Sequence, residues 1–231
     1  MKSPTVVLIL TLMFTQSGFC ATKVMSTNHR KQPLEMVIEH NMARFNGAQK
    51  HNYQLINLDT HKTYNINTRQ GTALDMSISA NVPVPKKVKL PKVQLKKIGG
   101  GPKIASYATL HYQLLANGKL CENLFVSPKA SKLEGMKTLI GVMGEMANAS
   151  KGAMLSAGGT PCRIASTLIF EKFARIGILM KSVNTQGQVT LEITRIETDV
   201  ALDGAYFDIP KGIEVMTLQN LMRRMRKSAQ Q

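Results

Sequence analysis

Residue types that perform acid–base, nucleophilic or metal chemistry are thinly spread in this chain. Its five histidines, His29, His40, His51, His61 and His111, fall singly. None belongs to an HExxH spacing, which would put two imidazoles on one helix face for zinc. There is no GxSxG elbow, no P-loop and no calcium-loop pattern. The run Gly99-Gly100-Gly101 lacks the Lys-Ser/Thr that would grip a phosphate. Glu192 and Glu197 lie five residues apart on one predicted strand, and odd spacing sends them to opposite faces, so they cannot easily pair as carboxylates. The expectation is a protein that is not an enzyme and has no metal or cofactor.

Binding is the remaining class, and two stretches bear on it. SKLEGMKTLIGVMGEMANAS, residues 131–150, reads as a helix opened by an S-x-x-E capping box at Ser131 and Glu134. Leu133, Met136, Leu139, Ile140, Met143 and Met146 fall along one face. Gly135, Gly141 and Gly144 interrupt it, each weakening a helix by about 1 kcal/mol relative to alanine, and methionine specifies packing poorly. PVPKKVKLPKVQLKKIGGGPK, residues 83–103, carries seven lysines, four prolines and no acid. Its prolines forbid a central strand. An edge strand or basic loop is expected, with the lysines either discouraging unwanted strand pairing or making an anionic contact through Lys86, Lys87, Lys89, Lys92, Lys96 and Lys97.

Elements that could position these stretches are mostly strands. LEMVIEH (34–40), HNYQLINLDTHKTYNINT (51–68) with a break at Asp59-Thr60-His61, and ALDMSISANV (73–82) alternate or are rich in β-formers. IASYATLHYQLLA (104–116), Asn117-Gly118 and KLCENLFVS (119–127) form the strongest hairpin signal, because Asn-Gly readily supplies two positive φ values. TPCRIASTLIFEK (160–172) and RIGILMKSV (175–183) are predicted as strands, then a turn at 184–187, then QVTLEITRIETD (188–199) with one buried and one wet face. TLQNLMRRMRKSAQQ (217–231) is predicted as a basic amphipathic helix with Thr217 as N-cap. It would either dock on the sheet or touch a membrane surface. Short connections and one internal helix predict an α+β fold: a strongly curved antiparallel sheet, or incomplete barrel.

Residues 1–20 read as a secretory signal peptide, with Lys2 at the start and an apolar run from Val6 to Phe14. Cleavage after Cys20 is expected; the alternative is a lipid-modified Cys20. Residues 21–33 are expected to be a flexible arm before a domain spanning 34–216. Export would leave Cys121 and Cys162 as an even pair, a disulfide in an oxidising compartment, the alternative being two buried free thiols. The net charge of +16 favours anionic surfaces such as lipid head groups or an acidic protein patch. Nucleic acid fits the charge but not an exported address, and with aromatics at 5% and no tryptophan few platforms for base stacking exist.

The second half resembles exported domains related to the LolA/LolB-like lipoprotein carrier superfamily. The resemblance is carried by KIASYATLHYQLLANGKLCENLFVSPK, GGTPCRIASTLIF and the closing pattern at Thr194, Ile196, Glu197, Asp203, Phe207, Ile209, Pro210 and Gly212. It implies a bent sheet with helices covering its concave face, a periplasmic address, and an acyl chain of a lipid or lipoprotein held between them. The 131–150 face would then be either a lipid-responsive lid or a core plug. An envelope module that binds a protein partner and no small ligand is the alternative.

Overall fold

Asn117 and Gly118 take φ values of 52° and 78°, the two positive values an Asn-Gly hairpin needs, and around them the alternating runs assemble into a sheet. In this computed structural model, which describes residues 21–77, 90–156 and 158–228, the strands are β1 (Ala21–Asn28), β2 (Pro33–Glu39), β3 (Met42–Asn46), β4 (Asn52–Asn57), β5 (Thr63–Asn67), β6 (Thr72–Asp75), β7 (Val93–Gly100), β8 (Leu110–Ala116), β9 (Lys119–Ser127), β10 (Ile178–Asn184), β11 (Val189–Val200) and β12 (Glu214–Thr217). They form one open twelve-stranded sheet in the order β12-β6-β5-β4-β3-β2-β1-β11-β10-β9-β8-β7. All neighbours run antiparallel except β12, which lies parallel to β6. The signal-peptide and cleavage expectations for residues 1–20 lie outside the described residues, as do Lys86, Lys87 and Lys89.

The sheet consists of two meanders, β1–β6 and β7–β11, joined where β1 pairs with β11. Residues 21–28 are therefore not an arm. Thr22 pairs with Ile38 and Lys23 with Glu197, and Ala21 and Val24 are buried. A polar-looking segment is held because strands on both sides satisfy its backbone.

Helices α1 (Met136–Ala149), α2 (Lys151–Ser156), α3 (Pro161–Leu168) and α4 (Phe170–Ile176) form one excursion between β9 and β10, which are sheet neighbours. They must therefore return to the sheet and lie over one face. One core cluster unites Val24, Ile38 and Ile56 of the first meander, Leu114, Val126 and Met180 of the second, and Met136, Leu139, Ala165 and Phe173 of the helices. β4 and β8 are seven strand spacings apart, about 34 Å on a flat sheet, whereas α1 is about 21 Å long. Sharing one core across that width requires the sheet to curve around the helices, and it is a curved, unclosed sheet.

Two helix expectations are corrected. The capping box does not form: Ser131 Oγ donates to the Pro128 carbonyl at 2.8 Å within a single 3-10 turn, and α1 starts only after Gly135, at φ 68°. Residues 160–176 are helices α3 and α4 rather than a strand. Thr160 Oγ1 accepts from the Arg163 N–H at 3.3 Å and Pro161 occupies the first turn, a start signal of Thr-Pro type. The tail expectation of a capped helix holds: α5 (Leu218–Ser228) follows Thr217, whose Oγ1 accepts from the Asn220 N–H. Arg224 of this helix donates back to Glu214 of β12, the strand it leaves.

Cys121 of β9 and Cys162 of α3 are bonded, 41 residues apart in sequence. Beside them Glu122 accepts from Ser166 Oγ of α3 at 2.6 Å and from Ser182 Oγ of β10. Covalent and polar links together pin the helical excursion to the second meander.

Candidate binding site

Strand β2 and helix α1 meet at Gly135. A Cβ there would overlap Ile38, so the absence of a side chain lets the helix start directly against the sheet. Met136 and Leu139 are at most 1% exposed. At its far end α1 rests on the first meander: Thr63 Oγ1 donates to Met146 Sδ at 3.9 Å, and Glu145 lies 2.9 Å from His61 Nδ1. Gly144 faces α4 closely enough that a Cβ would sit 3.3 Å from Glu171 Cα. Phe170 and Phe173 of α4 meet edge to face at 5.6 Å.

Packed this way, helices and sheet leave a cavity of about 390 Å³. Met136, Leu139, Ile140, Met143, Phe170 and Phe173 form its helical side. Val24, Met36, Phe45, Leu179, Leu191 and Ile193 form its sheet side, drawn from both meanders. Ser26, Glu35 and Asn46 border it. Four of the six expected face residues thus line the hollow. Leu133, before the helix, packs against the main core, and Met146 lies over β5. The sheet-side residues were not singled out from sequence, since only the β1–β11 pairing brings Val24 to Ile196 and Ser26 to Ile193.

Beyond the cavity, past Phe45 and Gly47, lie two further recesses. One of about 400 Å³ is bordered by Phe45, Gly47, Asn52, Tyr53, Asn65, Ile66 and Asn67. The other, about 660 Å³ and open, lies between turns and is lined by Gln49, Lys50, His51, Arg69 and Gln70 with Asn52 and Asn67.

The outer face carries a different arrangement. Residues 201–213 cross it between β11 and β12, and Phe207, Ile209 and Ile213 pack on Tyr53, Leu55, Ile66 and Ala73. Arg44 lies between the rings of Tyr53 and Tyr206, at 3.8 and 4.4 Å, and Arg44 Nη1 donates to the Tyr206 carbonyl at 2.7 Å. Glu35 receives Lys23 Nζ at 2.5 Å, Asn46 Nδ2 at 2.8 Å and Tyr206 Oη at 3.3 Å. Burial alone would push the Glu35 carboxyl up; the bonds from Lys23, Asn46 and Tyr206 outweigh it and hold the carboxyl below the usual range. Lys23 is held above the ordinary lysine value, chiefly by its hydrogen bond to Glu35 and against desolvation. Burial raises the Tyr206 phenol.

The remaining candidates stay apart. His111 stacks on Phe125 at 4.8 Å and lies 2.9 Å from Asn123 Oδ1, far in sheet order from His51 and His61. Lys96 and Lys97 are exposed on β7, the edge strand the lysine-rich stretch was expected to form, and Lys92 precedes it. This edge is opposite to the one formed by β12. No helix among the described residues is long and apolar enough to cross a membrane.

No protein-family model matches the sequence, and no curated protein does either. Among solved structures, the chain is similar to PNGF-II at 10% identity and a TM-score of 0.44, covering 91% of this chain and 34% of that one. It is similar to MucB at 9% identity and a TM-score of 0.39, covering 87% and 60%. The complex structure of Pseudomonas aeruginosa MucA/MucB matches at 11% identity and a TM-score of 0.33, covering 87% and 58%. The chain thus spans about a third of PNGF-II and about three fifths of MucB.

Proposed function

We propose that this protein is an exported, non-enzymatic binding protein that holds an acyl chain in the hollow between β1–β3, β10–β11 and helices α1 and α4. The observation that carries the reading is the cavity itself: about 390 Å³, walled by aliphatic, methionine and phenylalanine side chains. Ligand pockets run to about 300–1,000 Å³ and are mostly apolar with few polar groups. Hydrocarbon that fills such an apolar hollow is removed from water and gains dispersion contacts with its walls. The α1 side chains at the hollow include Met136 and Met143, whose unbranched stems can re-pack around a chain of variable length.

Acyl burial contributes about 0.8 kcal/mol per methylene, so affinity should rise about fourfold for each carbon added until the hollow is full. Titration with a series of saturated fatty acids, displacing a fluorescent one, tests this. Saturable binding at one site per chain with that length dependence is expected. Met143→Trp, which fills the hollow from a partly buried position, should abolish binding while the far-ultraviolet circular dichroism stays native. Folded protein that binds none of the series, or a Met143→Trp protein that binds as well as the parent, overturns the reading.

A further inference from the structure

We infer, resting on the acyl-chain reading, that the ligand is an amphiphile with a phosphate-bearing polar end. That end is received by Asn52 and Asn67 and by the cations Lys50 and Arg69 beside them. Three recesses share walls in series. The apolar hollow is bordered at one end by Phe45 and Gly47. The same two residues border the second recess, whose other walls include Asn52, Asn65 and Asn67. Asn52 and Asn67 then border the third, with Lys50, His51 and Arg69. Along this path the lining residues change from hydrocarbon, through amides set beside Tyr53 and Ile66, to amides with cations.

Strand register explains where the amides fall. Ile56 pairs with Thr63, Gln54 with Asn65 and Asn52 with Asn67, and alternation puts all six on the concave face. Helix α1 reaches the first of these pairs, where Met146 meets Thr63. The other two pairs, four amides in a row, continue the concave face past the lid. Asparagine is depleted in strands, so propensity does not account for three of these four amides being asparagine. The rim is already partly ordered: Asn52 Nδ2 donates to Gln49 Oε1 at 2.5 Å, and Asn67 Oδ1 accepts from the Gln70 N–H at 2.9 Å, leaving its NH₂ to donate outward.

Charge supplies the sign. No carboxylate lines the second or third recess. Among the described residues Lys50 and Arg69 have neither hydrogen bond nor ion pair, unlike Lys23, Lys181, Arg44 and Arg195, which are engaged. A guanidinium fork, an ammonium and amide donors together match phosphate oxygens. A neutral glycerol or sugar head would use the amides and leave both cations idle.

The test uses the full mature chain in calorimetric titrations with three probes: 1-myristoyl lysophosphatidic acid, 1-myristoylglycerol and inorganic phosphate. The two lipids carry the same acyl chain and are used below their micelle concentrations. The phosphate lipid should bind at least about tenfold more tightly than the glycerol lipid, the increment of one charge-assisted contact. Lys50→Ala/Arg69→Ala should erase that preference and leave the glycerol lipid's affinity unchanged. Lys103→Ala/Lys119→Ala, which removes the same net charge elsewhere, should retain it. Equal affinities for the two lipids, or a preference that survives Lys50→Ala/Arg69→Ala, overturns the head-group inference and leaves the acyl reading standing. Failure of both lipids to bind removes the acyl reading and this one with it. Inorganic phosphate that binds as tightly as the phosphate lipid makes the rim a free-phosphate site and overturns the coupling of head to chain.

Discussion

Glu35 shows how a single carboxylate ties the N-terminal strand to the outer strap. It holds Lys23 of β1, Asn46 of β3 and Tyr206 of the 201–213 crossing at once. Its carboxyl is depressed in the folded protein, so its stabilising contribution is present above the unfolded glutamate value, about 4.3. That contribution is lost as pH falls through the lower, folded value. Lys23 is raised, so its share is complete below the unfolded lysine value, about 10.4, and disappears only as pH rises through the folded one. Between these limits the pair is intact. Urea midpoints for the parent and Glu35→Gln should therefore differ by a constant amount above about pH 5 and converge as pH falls below about 4. A gap that persists unchanged to strongly acidic pH would show that the Glu35 charge does not carry the contribution. Glycines of α1 make a second prediction at this scale. Gly135 has φ 68° with Ile38 where a Cβ would go, while Gly141 has nothing within 4 Å. Gly135→Ala should destabilise by about 2 kcal/mol or more through a left-handed backbone and a clash. Gly141→Ala should stabilise by about 0.5–1 kcal/mol, both read from chemical denaturation. A destabilising Gly141→Ala would mean the helix needs its looseness there.

Helix α3 is the element that the disulfide holds, and the loop it closes sets the expected size of the effect. Cys121 and Cys162 stand 41 residues apart, for which loop-closure entropy predicts about 4 kcal/mol of stabilisation. Cys121→Ala/Cys162→Ala should lower stability by about that amount in denaturant, with the helices more affected than β1–β6 in hydrogen exchange. Full alkylation of both thiols in unreduced, unfolded parent protein would contradict the bond. The elements that sequence reasoning recovered are those whose signal is local. Asn117-Gly118, the break at 59–61 and the turn at 184–187 declare their conformations through residue type alone. Helices α3 and α4 were not legible because Ile164, Ile169 and Phe173 sit in a stretch also rich in β-formers, and Thr160-Pro161 suits a strand boundary as well as a helix start. Strand β1 was missed for another reason: ATKVMSTN carries little apolar periodicity, and what orders it is pairing on both sides with residues as distant as Val200. The hollow was half legible for the same cause. The α1 face is written in helical spacing, while the sheet wall needs two meanders brought into register. The amide rows at 52–54 and 65–67 were visible as letters but not as one surface until β4 paired with β5.

At the scale of the whole molecule, the chain closes on itself without closing the sheet. After β11 it leaves the middle of the sheet, crosses the outer face of β1–β5 as residues 201–213, and adds β12 to the free edge of β6. The strap thus covers Tyr53, Leu55 and Ile66 of β4 and β5, on the face opposite the amide rows of the same two strands. Arg44 is its fastening: two aromatic faces and a partly buried carbonyl converge on one guanidinium. Cation–π contacts contribute about 0.5–1 kcal/mol each and a hydrogen bond from a charged group about 1.5 kcal/mol or more. Against those gains, Arg44→Met keeps the apolar stem and should cost about 2 kcal/mol locally. The strap would then open about thirtyfold more often, read as faster hydrogen exchange and faster proteolytic nicking within 201–209. Because the hollow lies on the opposite face, fatty-acid affinity should stay within about twofold of the parent. A large change in affinity would mean that strap and lid are coupled through the sheet, and an unchanged exchange rate would mean that Phe207 and Ile209 hold the strap without Arg44.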